Sequence, residues 1–215
     1  MMRNLILFIL SLFLSFNFFA QNDEKAEKLL AEVSAKVKAY DNMKINFSYV
    51  QESEKENLRQ ETKGCVALAG EKYKLDLMGT TRIFDGKKLY DIIPEDEEVN
   101  IADYNPEDDN ELSPSKMLNF YEEGYTYQWD IPQNVEGRVI QYIKLKPKDE
   151  ASEIKEVYLG IDAQTKHIYK LIQLFKDKTK LIIDVKSFKV NQPLPENMFK
   201  FNEDKYQGYY INRLD

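Results

Sequence analysis

The sequence predicts a mainly β protein with a minor helical part, an α+β fold built around one large antiparallel sheet. Two observations predict it. Strand patterns follow one another from Lys44 to Phe201, and a helical pattern interrupts them only once, near Ser113 to Tyr121. The connections between successive strands are short, whereas parallel strands need crossovers of about a dozen residues or more. Successive strands are therefore expected to pair antiparallel within one domain.

Residues 1–20 are expected to be a cleavable secretory signal peptide. Leu5 to Phe16 form an apolar run behind the basic residue Arg3, and the stretch ends in Ala20-Gln21-Asn22. A transmembrane anchor is the alternative, but about a dozen apolar residues are fewer than the ~20 that span a bilayer. We expect export, cleavage after Ala20, and a soluble domain over residues 21–215.

Charge and cysteine content exclude several possibilities. Removal of residues 1–20 takes away one of the 30 basic residues and none of the 37 acidic ones, so the net charge changes from −7 to −8. Nucleic acids and anionic lipid surfaces attract basic surfaces, so we expect neither as a partner. Cys65 is the only cysteine. An internal disulfide is impossible, and the core must be stable by burial alone.

An amphipathic helix is predicted from Asp23 to Tyr40. Apolar residues recur there at intervals of three and four, and lysine and glutamate fill the opposite face. Asp41-Asn42 ends the helix. The apolar face consists of Ala26, Leu29, Leu30, Val33 and Val37.

Alternating apolar residues then predict a series of strands separated by turn residues. Asp85-Gly86 is the strongest hairpin signal, because a two-residue primed turn requires positive φ and this pair tolerates it. The predicted strands lie at residues 45–50, 66–68, 73–77, 83, 89–93, 99–101, 125–129, 139–145, 154–161, 168–175, 181–190, 199–201 and 209–211.

The helical insert has recognisable ends. Ser113-Pro114 supplies a cap followed by proline at the first helical position, and Gly124 is a plausible C-terminal stop. Three residues share one face of this short helix: Met117, Leu118 and Tyr121.

No catalytic or metal-binding pattern stands out. His167 is the only histidine, and no catalytic signature accompanies it. One histidine and one cysteine cannot supply the three or four protein ligands of a zinc site. The acidic runs Glu95 to Glu98 and Glu107 to Glu111 lack the spaced ligands and central glycine of a calcium loop. We expect no metal, no cofactor and no enzymatic activity, although the sequence leaves a carboxylate pair for glycoside chemistry open.

Aromatic and aliphatic stripes are more informative. Large side chains share one face of their strands in three places: Phe47 with Tyr49, Tyr73 with Leu75 and Leu77, and Tyr125 with Tyr127 and Trp129. One helix of about five turns and a short insert are too little to cover so wide a sheet. The uncovered part is either an apolar cavity for a lipid-like ligand or the interior of a closed barrel or sandwich filled by its own side chains. The pattern does not decide between the two.

Several short motifs, taken in order, resemble a known family. They are Asn46-Phe47-Ser48, a strand opening at Gly64, Tyr73-Lys74-Leu75, Asp85-Gly86-Lys87-Lys88-Leu89-Tyr90 with Pro94, Ile161-Asp162 before a turn, and Pro195 to Phe201. With the amino-terminal helix and the insert, they resemble LolA, the periplasmic lipoprotein carrier family. One feature differs, since family members have an arginine–proline pair where this chain has Ala69-Gly70-Glu71.

The resemblance implies an unclosed antiparallel half-barrel whose concave face is covered by the first helix and the insert. It implies a monomeric periplasmic chaperone that binds the acyl chains of lipoproteins. The donor would be an inner-membrane lipoprotein-releasing ABC transporter, and the acceptor an outer-membrane lipoprotein receptor. The implied cavity residues are Phe47, Tyr73, Leu75, Leu77 and Leu89 on the sheet, and Leu30, Val33, Val37, Met117, Leu118 and Tyr121 on the lid.

Two other functions stay open at this stage. The same half-barrel could serve as a carrier or sensor of another amphiphile, such as a glycolipid. A secreted hydrolase with an unrecognised pair of carboxylates is the alternative from a different class.

Overall fold

A computed structural model describes residues 24–104 and 113–214. The predicted signal peptide and the acidic run Glu107 to Glu111 lie outside these residues. Within the described ranges, no helix is both long enough and apolar enough to cross a membrane.

The described residues form thirteen strands, one long helix and three short helical segments. Helix α1 covers residues 24–38. The first half of the sheet consists of β1 (Met43–Ser53), β2 (Leu58–Ala69), β3 (Lys72–Leu77), β4 (Thr80–Phe84), β5 (Lys88–Ile93) and β6 (Glu98–Asp103). Then follow α2 (Pro114–Met117), a 3-10 turn (Phe120–Glu122), β7 (Tyr125–Trp129), β8 (Gln133–Val135), β9 (Arg138–Pro147), β10 (Ile154–Asp162), β11 (Ile168–Phe175), β12 (Thr179–Val190), a second 3-10 turn (Glu203–Tyr206) and β13 (Tyr210–Leu214).

All thirteen strands belong to one sheet. Its order is β13-β6-β5-β4-β3-β2-β1-β12-β11-β10-β9-β7, and β8 pairs with β9. Two antiparallel meanders meet where β1 pairs with β12. The strands at the two ends of this order, β13 and β7, do not pair with each other in the described chain. The predicted large unclosed sheet is therefore confirmed.

One strand pair departs from the antiparallel prediction. β13 runs parallel to β6, with Ile211 opposite Val99. β6 ends at Asp103 and β13 begins at Tyr210, so no tight hairpin joins the two strands and parallel pairing is possible. Residues 191–209 lead from β12 to this edge of the sheet.

The strand predicted at residues 199–201 is wrong. Residues 196–199 form a turn and residues 200–202 are irregular. The ring of Phe201 stacks on that of Tyr90 at 4.8 Å between centroids. The apolar residue is therefore explained by side-chain packing against the sheet rather than by strand pairing.

The hairpin predicted at Asp85-Gly86 forms, but without a two-residue primed turn. Three residues separate β4 from β5. The Asp85 carboxylate accepts hydrogen bonds from the backbone N–H groups of Lys87 (2.8 Å) and Lys88 (2.9 Å), so aspartate acts through its side chain. Two-residue turns with positive φ at both residues occur instead at Met78-Gly79 and Glu136-Gly137.

Helix α1 and the insert cover one face of the sheet, here termed the concave face. The predicted apolar face of α1 is buried at Ala26, Leu29, Leu30 and Val33. These residues pack in one cluster with apolar residues of β9, β10 and β11. A second cluster joins β1, β2, β3, β4 and β5 on the same face through Met43, Ile45, Phe47, Val66, Leu68, Tyr73, Phe84 and Leu89.

A third cluster lies on the opposite, convex face. It contains Ile83, Ile92, Val99 and Ile101 from β4, β5 and β6. Phe201, Tyr206, Tyr209 and Ile211 of the carboxyl-terminal segment pack against it. This segment therefore supports the sheet from behind and leaves the concave face to α1 and α2.

Candidate functional site

An apolar cavity of about 170 Å³ lies between the concave face and α2. No charged residue lines it in the described structure, and each lining side chain is aliphatic or aromatic. The lining residues are Ile45, Phe47, Tyr49, Val66, Leu68, Leu75, Leu77, Pro114, Met117, Leu118, Ile168, Leu171, Ile183, Val185 and Phe188.

Strand register brings the sheet-side residues together. Ile45 lies opposite Val66, and Val66 lies opposite Leu75. Because side chains alternate between the two faces of a strand, residues paired in this way share the concave face. The alternation of apolar residues along β1, β2 and β3 therefore produces a continuous apolar wall.

The pairing of β1 with β12 is irregular beside the cavity lining. The register between β1 and β12 shifts between Asn46 and Phe47, so that Ile45 lies opposite Phe188 but Phe47 lies opposite Val185. The extra residue, Lys186, therefore lies on β12. The shift falls between Val185 and Phe188, which both line the cavity.

Gly64 makes room for the ring of Phe47. It lies between Phe47 and Leu77 on the concave face. A Cβ atom at this position would lie 2.4 Å from Cζ of Phe47 and 3.1 Å from Cδ1 of Leu77. The ring thus lies directly over the glycine backbone, which is possible only without a side chain there.

We expect Gly64→Ala to destabilise the domain by about 1–3 kcal/mol, the usual cost of overpacking a core. The added methyl group must displace the Phe47 ring, which is buried. Urea unfolding measures the loss, and Phe47→Leu combined with Gly64→Ala should recover part of it. Equal stability of Gly64→Ala and the wild type would contradict the packing at this position.

The lid over the cavity is α2 with the residues that follow it. The Ser113 hydroxyl accepts a hydrogen bond from the N–H of Lys116 (3.2 Å), and Pro114 occupies the first turn, as the sequence predicts. Pro114, Met117 and Leu118 line the cavity. The α-helix has only four residues, and so short a helix is stabilised by its contacts with the sheet rather than by its own hydrogen bonds.

The far end of the insert is fixed to α1. Glu122 accepts a hydrogen bond from the hydroxyl of Ser34, and its Oε1 lies 2.7 Å from Nζ of Lys38. These two contacts, that of Lys38 first, lower the pKa of Glu122. The Tyr127 hydroxyl donates to the carbonyl of Tyr121 (2.7 Å). The insert is therefore anchored at residues 121–122, and α2 extends from this anchor over the cavity.

Five residues that the sequence implicated meet at the cavity. Phe47, Leu75 and Leu77 line it from the sheet, and Met117 and Leu118 line it from the lid.

The other six implicated residues lie outside the cavity lining. Tyr73 and Leu89 are buried beside Phe84 on the concave face. Leu30, Val33 and Tyr121 are buried in the cluster beneath α1, where desolvation raises the pKa of Tyr121. Val37 is half-buried and contacts both concave-face clusters. A role in ligand binding stays a prediction for all eleven residues.

Sequence reasoning missed the cavity residues of β11 and β12. Ile168, Leu171, Ile183, Val185 and Phe188 line one side of it. They reach it because β12 pairs with β1, far away along the chain. Their alternation was visible, but the strand order that places them beside β1 was not. Ile45, Tyr49, Val66, Leu68 and Pro114 were also absent from the implicated set.

A charged pair borders the apolar wall on the concave face. Nε and one terminal nitrogen of Arg82 lie 2.5 and 2.7 Å from the two carboxylate oxygens of Asp91. Arg82 is opposite Leu75 in the register. A bidentate pair of this kind is geometrically specific.

His167 lies beside the cavity lining. Its ring stacks on Phe188 at 4.2 Å between centroids, and its Nε2 is 2.8 Å from the hydroxyl of Tyr40. Burial lowers the pKa of His167, Lys36 lowers it further, and Asp162 opposes them. The imidazole is therefore mainly neutral at pH 7.

We expect protonation of His167 to lower the free energy of unfolding as the pH falls below about 6.5. Its pKa is lower in the folded chain, so the unfolded state binds the proton more readily. The stability due to the neutral ring is complete above the unfolded pKa of about 6.5 and is lost as the pH falls towards the folded pKa. Urea unfolding measures the loss of unfolding free energy between pH 7.5 and pH 5.5. This loss should be smaller in His167→Gln than in the wild type. An identical change in both proteins would contradict this assignment.

The fold and the cavity define a class of protein: an open β half-barrel whose apolar concave face is covered by short helical segments. No protein-family model matches the sequence, and no curated protein matches it.

Several solved structures are similar to this chain. An uncharacterised conserved protein from Thermus thermophilus is 10% identical with a TM-score of 0.58, covering 88% of this chain and 99% of its own. Lipoprotein LppX from Mycobacterium tuberculosis is 12% identical with a TM-score of 0.49, covering 79% and 98%. A LolA superfamily protein from Nitrosomonas europaea is 11% identical with a TM-score of 0.38, covering 82% and 97%. The half-barrel predicted from the sequence is confirmed by the sheet itself, because its end strands β13 and β7 do not pair in the described chain.

Proposed function

We propose that this protein is a non-enzymatic periplasmic carrier that shields the acyl chains of lipoproteins between the inner and the outer membrane. A lipoprotein-releasing ABC transporter would load it, and an outer-membrane receptor would unload it. The supporting observation is a cavity lined by aliphatic and aromatic residues beneath a short lid. Each methylene group exposed to water costs roughly 0.8 kcal/mol, so acyl chains cannot cross an aqueous space unshielded.

The lid must move for this function. The cavity volume of about 170 Å³ is below the range of roughly 300–1,000 Å³ that is usual for ligand sites. α2 is the movable cover, because it is short and contacts only β2 and β3 extensively among the described elements. A closed form without cargo and an open form with cargo fit a carrier that must also release its load.

The composition of the cavity favours a carrier over a hydrolase. General acid–base chemistry on an ester or a glycan needs carboxylates close to the bound substrate. No carboxylate lines the apolar cavity in the described structure, and Asp91 at its border is engaged by Arg82.

Extraction of a lipoprotein from a membrane tests the proposed function. The protein starting at residue 21 is mixed with liposomes that carry a triacylated lipoprotein, and the liposomes are then sedimented. We expect the lipoprotein to appear in the supernatant in a complex with the carrier. Mass spectrometry of organic extracts then identifies any other cargo. Recovery of glycolipid with no extraction of lipoprotein would favour a carrier of another amphiphile.

A further inference from the structure

A polar pocket of about 250 Å³ adjoins the apolar cavity where β11 begins and β12 ends. Three apolar residues, Ile168, Val185 and Phe188, line both spaces. The two spaces therefore share a wall. The polar side of the pocket is formed mainly by Arg138, Asp162, His167, Tyr169, Lys186 and Ser187.

The polar pocket exists because two neighbouring strands stop pairing. The pairing of β11 with β12 ends at Lys170 and Asp184. Beyond that point, residues 185 and 187–190 pair with β1 alone, and Ile168 pairs with β10 alone, among the described strands. The stacked rings of His167 and Phe188 occupy the resulting opening. Movement of these two rings would join the apolar cavity to the polar pocket.

The polar pocket is positively charged although the chain carries a net charge of −7. Arg138 and Lys186 line it, and the Nζ atom of Lys36 is close by, donating to the carbonyl of Thr165 (2.8 Å). Lys186 is exposed and forms no ion pair with any described residue. Among the described residues, Asp162 supplies the only carboxylate in the lining.

Asp162 is already engaged by its own turn. Its Oδ1 accepts hydrogen bonds from the N–H groups of Gln164 (3.0 Å) and Thr165 (2.8 Å). Its Oδ2 is 3.8 Å from a terminal nitrogen of Arg138, too far for a hydrogen bond. The Arg138 donors are thus not used up by this carboxylate. Ser187 accepts a hydrogen bond from the side chain of Asn46 (2.8 Å), so its own hydroxyl hydrogen can donate elsewhere.

We propose that the polar pocket binds the anionic headgroup, a phosphate or a carboxylate, of an amphiphile whose acyl chain occupies the apolar cavity. This inference rests on the proposed carrier function. Arginine matches such anions with paired N–H donors, while the lysine contributes a mobile point charge. The acyl chain of such an amphiphile would contact apolar side chains, and its anionic headgroup would contact Arg138 and Lys186.

Three probes of different chemistry test the headgroup pocket by isothermal titration calorimetry. They are hexadecyl phosphate, the uncharged 1-O-hexadecylglycerol and inorganic phosphate, the amphiphiles being kept below their micellar concentrations. We expect hexadecyl phosphate to bind about tenfold more tightly than hexadecylglycerol, the gain of one charged hydrogen bond. Inorganic phosphate should show no binding at the same concentrations.

A double substitution tests whether the preference for hexadecyl phosphate over hexadecylglycerol arises in the polar pocket. Arg138→Gln with Lys186→Gln should abolish this preference and leave the affinity for hexadecylglycerol within about twofold, because both residues are exposed and neither lines the apolar cavity. Arg213→Gln with Lys155→Gln changes the net charge equally, at the edge strand β13 and at the start of β10. This control should keep the preference.

The outcomes separate the headgroup pocket from the carrier function. Equal binding of the two amphiphiles to the wild type, or an unchanged preference in the Arg138 and Lys186 variant, would overturn the headgroup pocket alone. Inorganic phosphate binding as tightly as hexadecyl phosphate would show a free-anion site and would also overturn it. Failure of both amphiphiles to bind would overturn the carrier function together with the pocket.

Discussion

Leu77→Glu is expected to abolish acyl-chain binding while the domain stays folded. Leu77 lines the cavity but is only half-buried, so the variant can fold. A carboxylate there places a charge against hydrocarbon, which costs on the order of 3 kcal/mol or more and corresponds to about a hundredfold loss of affinity. Leu77 is preferable to Leu75, because Leu75 lies opposite Arg82, which could neutralise a glutamate.

The binding of a fluorescent acyl probe measures this effect, and circular dichroism checks the fold. Val139→Glu is the matched control, because it also replaces an apolar residue by glutamate, at an exposed position outside the cavity. The control should bind the probe as the wild type does. Normal probe binding by folded Leu77→Glu would show that the cavity is not the binding site.

Val33→Glu is expected to act on folding rather than on binding. The sequence alone suggests a lid residue that faces the ligand. In the structure, the exposed fraction of Val33 is 0%, and it packs with β-sheet residues beneath α1. An unpaired carboxyl in this cluster costs about 3–5 kcal/mol, a large part of the ~5–15 kcal/mol that stabilises a typical domain.

The melting temperature should therefore fall by roughly 10 °C or more. Ala31→Glu adds the same group to the exposed side of the same helix and serves as the control. It should change the melting temperature by no more than a few degrees. A melting temperature of Val33→Glu equal to that of Ala31→Glu would show that α1 does not pack as described.

Local sequence patterns predicted the elements and their faces well. The periodicity of Ala26, Leu29, Leu30 and Val33 identified the buried side of α1, because a helix needs an apolar stripe at that interval. The Ser113-Pro114 cap likewise located the start of α2. Each of these signals depends on residues within one or two turns of each other.

Features that depend on distant pairing were harder to predict. The register of β1 with β12 brings Val185 and Phe188 into the cavity lining, and no local pattern encodes that pairing. No local pattern encodes the packing of Phe201 against Tyr90 on the convex face either. The residues around Phe201 predicted a strand instead. Local alternation specifies the face of a strand but not its neighbour.

The limited overlap between the implicated and the observed lining has a physical cause. Tyr73 and Leu89 share the concave face with Leu75, but they lie further along the sheet, where Phe84 packs against them. Sequence alternation gives the face of a strand but not the part of that face that α2 covers. Among the described elements α2 makes its main contacts with β2 and β3, and the cavity beneath it extends to β1, β11 and β12.

The position of a bound acyl chain tests the central claim most directly. Intermolecular nuclear Overhauser effects can be measured between a ¹³C-labelled hexadecyl chain and the methyl groups of the protein. We predict contacts with Leu75, Leu77, Met117 and Val185, and none with Ile83 and Ile92 of the convex cluster. Contacts confined to the convex cluster, or a chain that contacts neither set, would contradict a carrier whose cargo lies beneath α2.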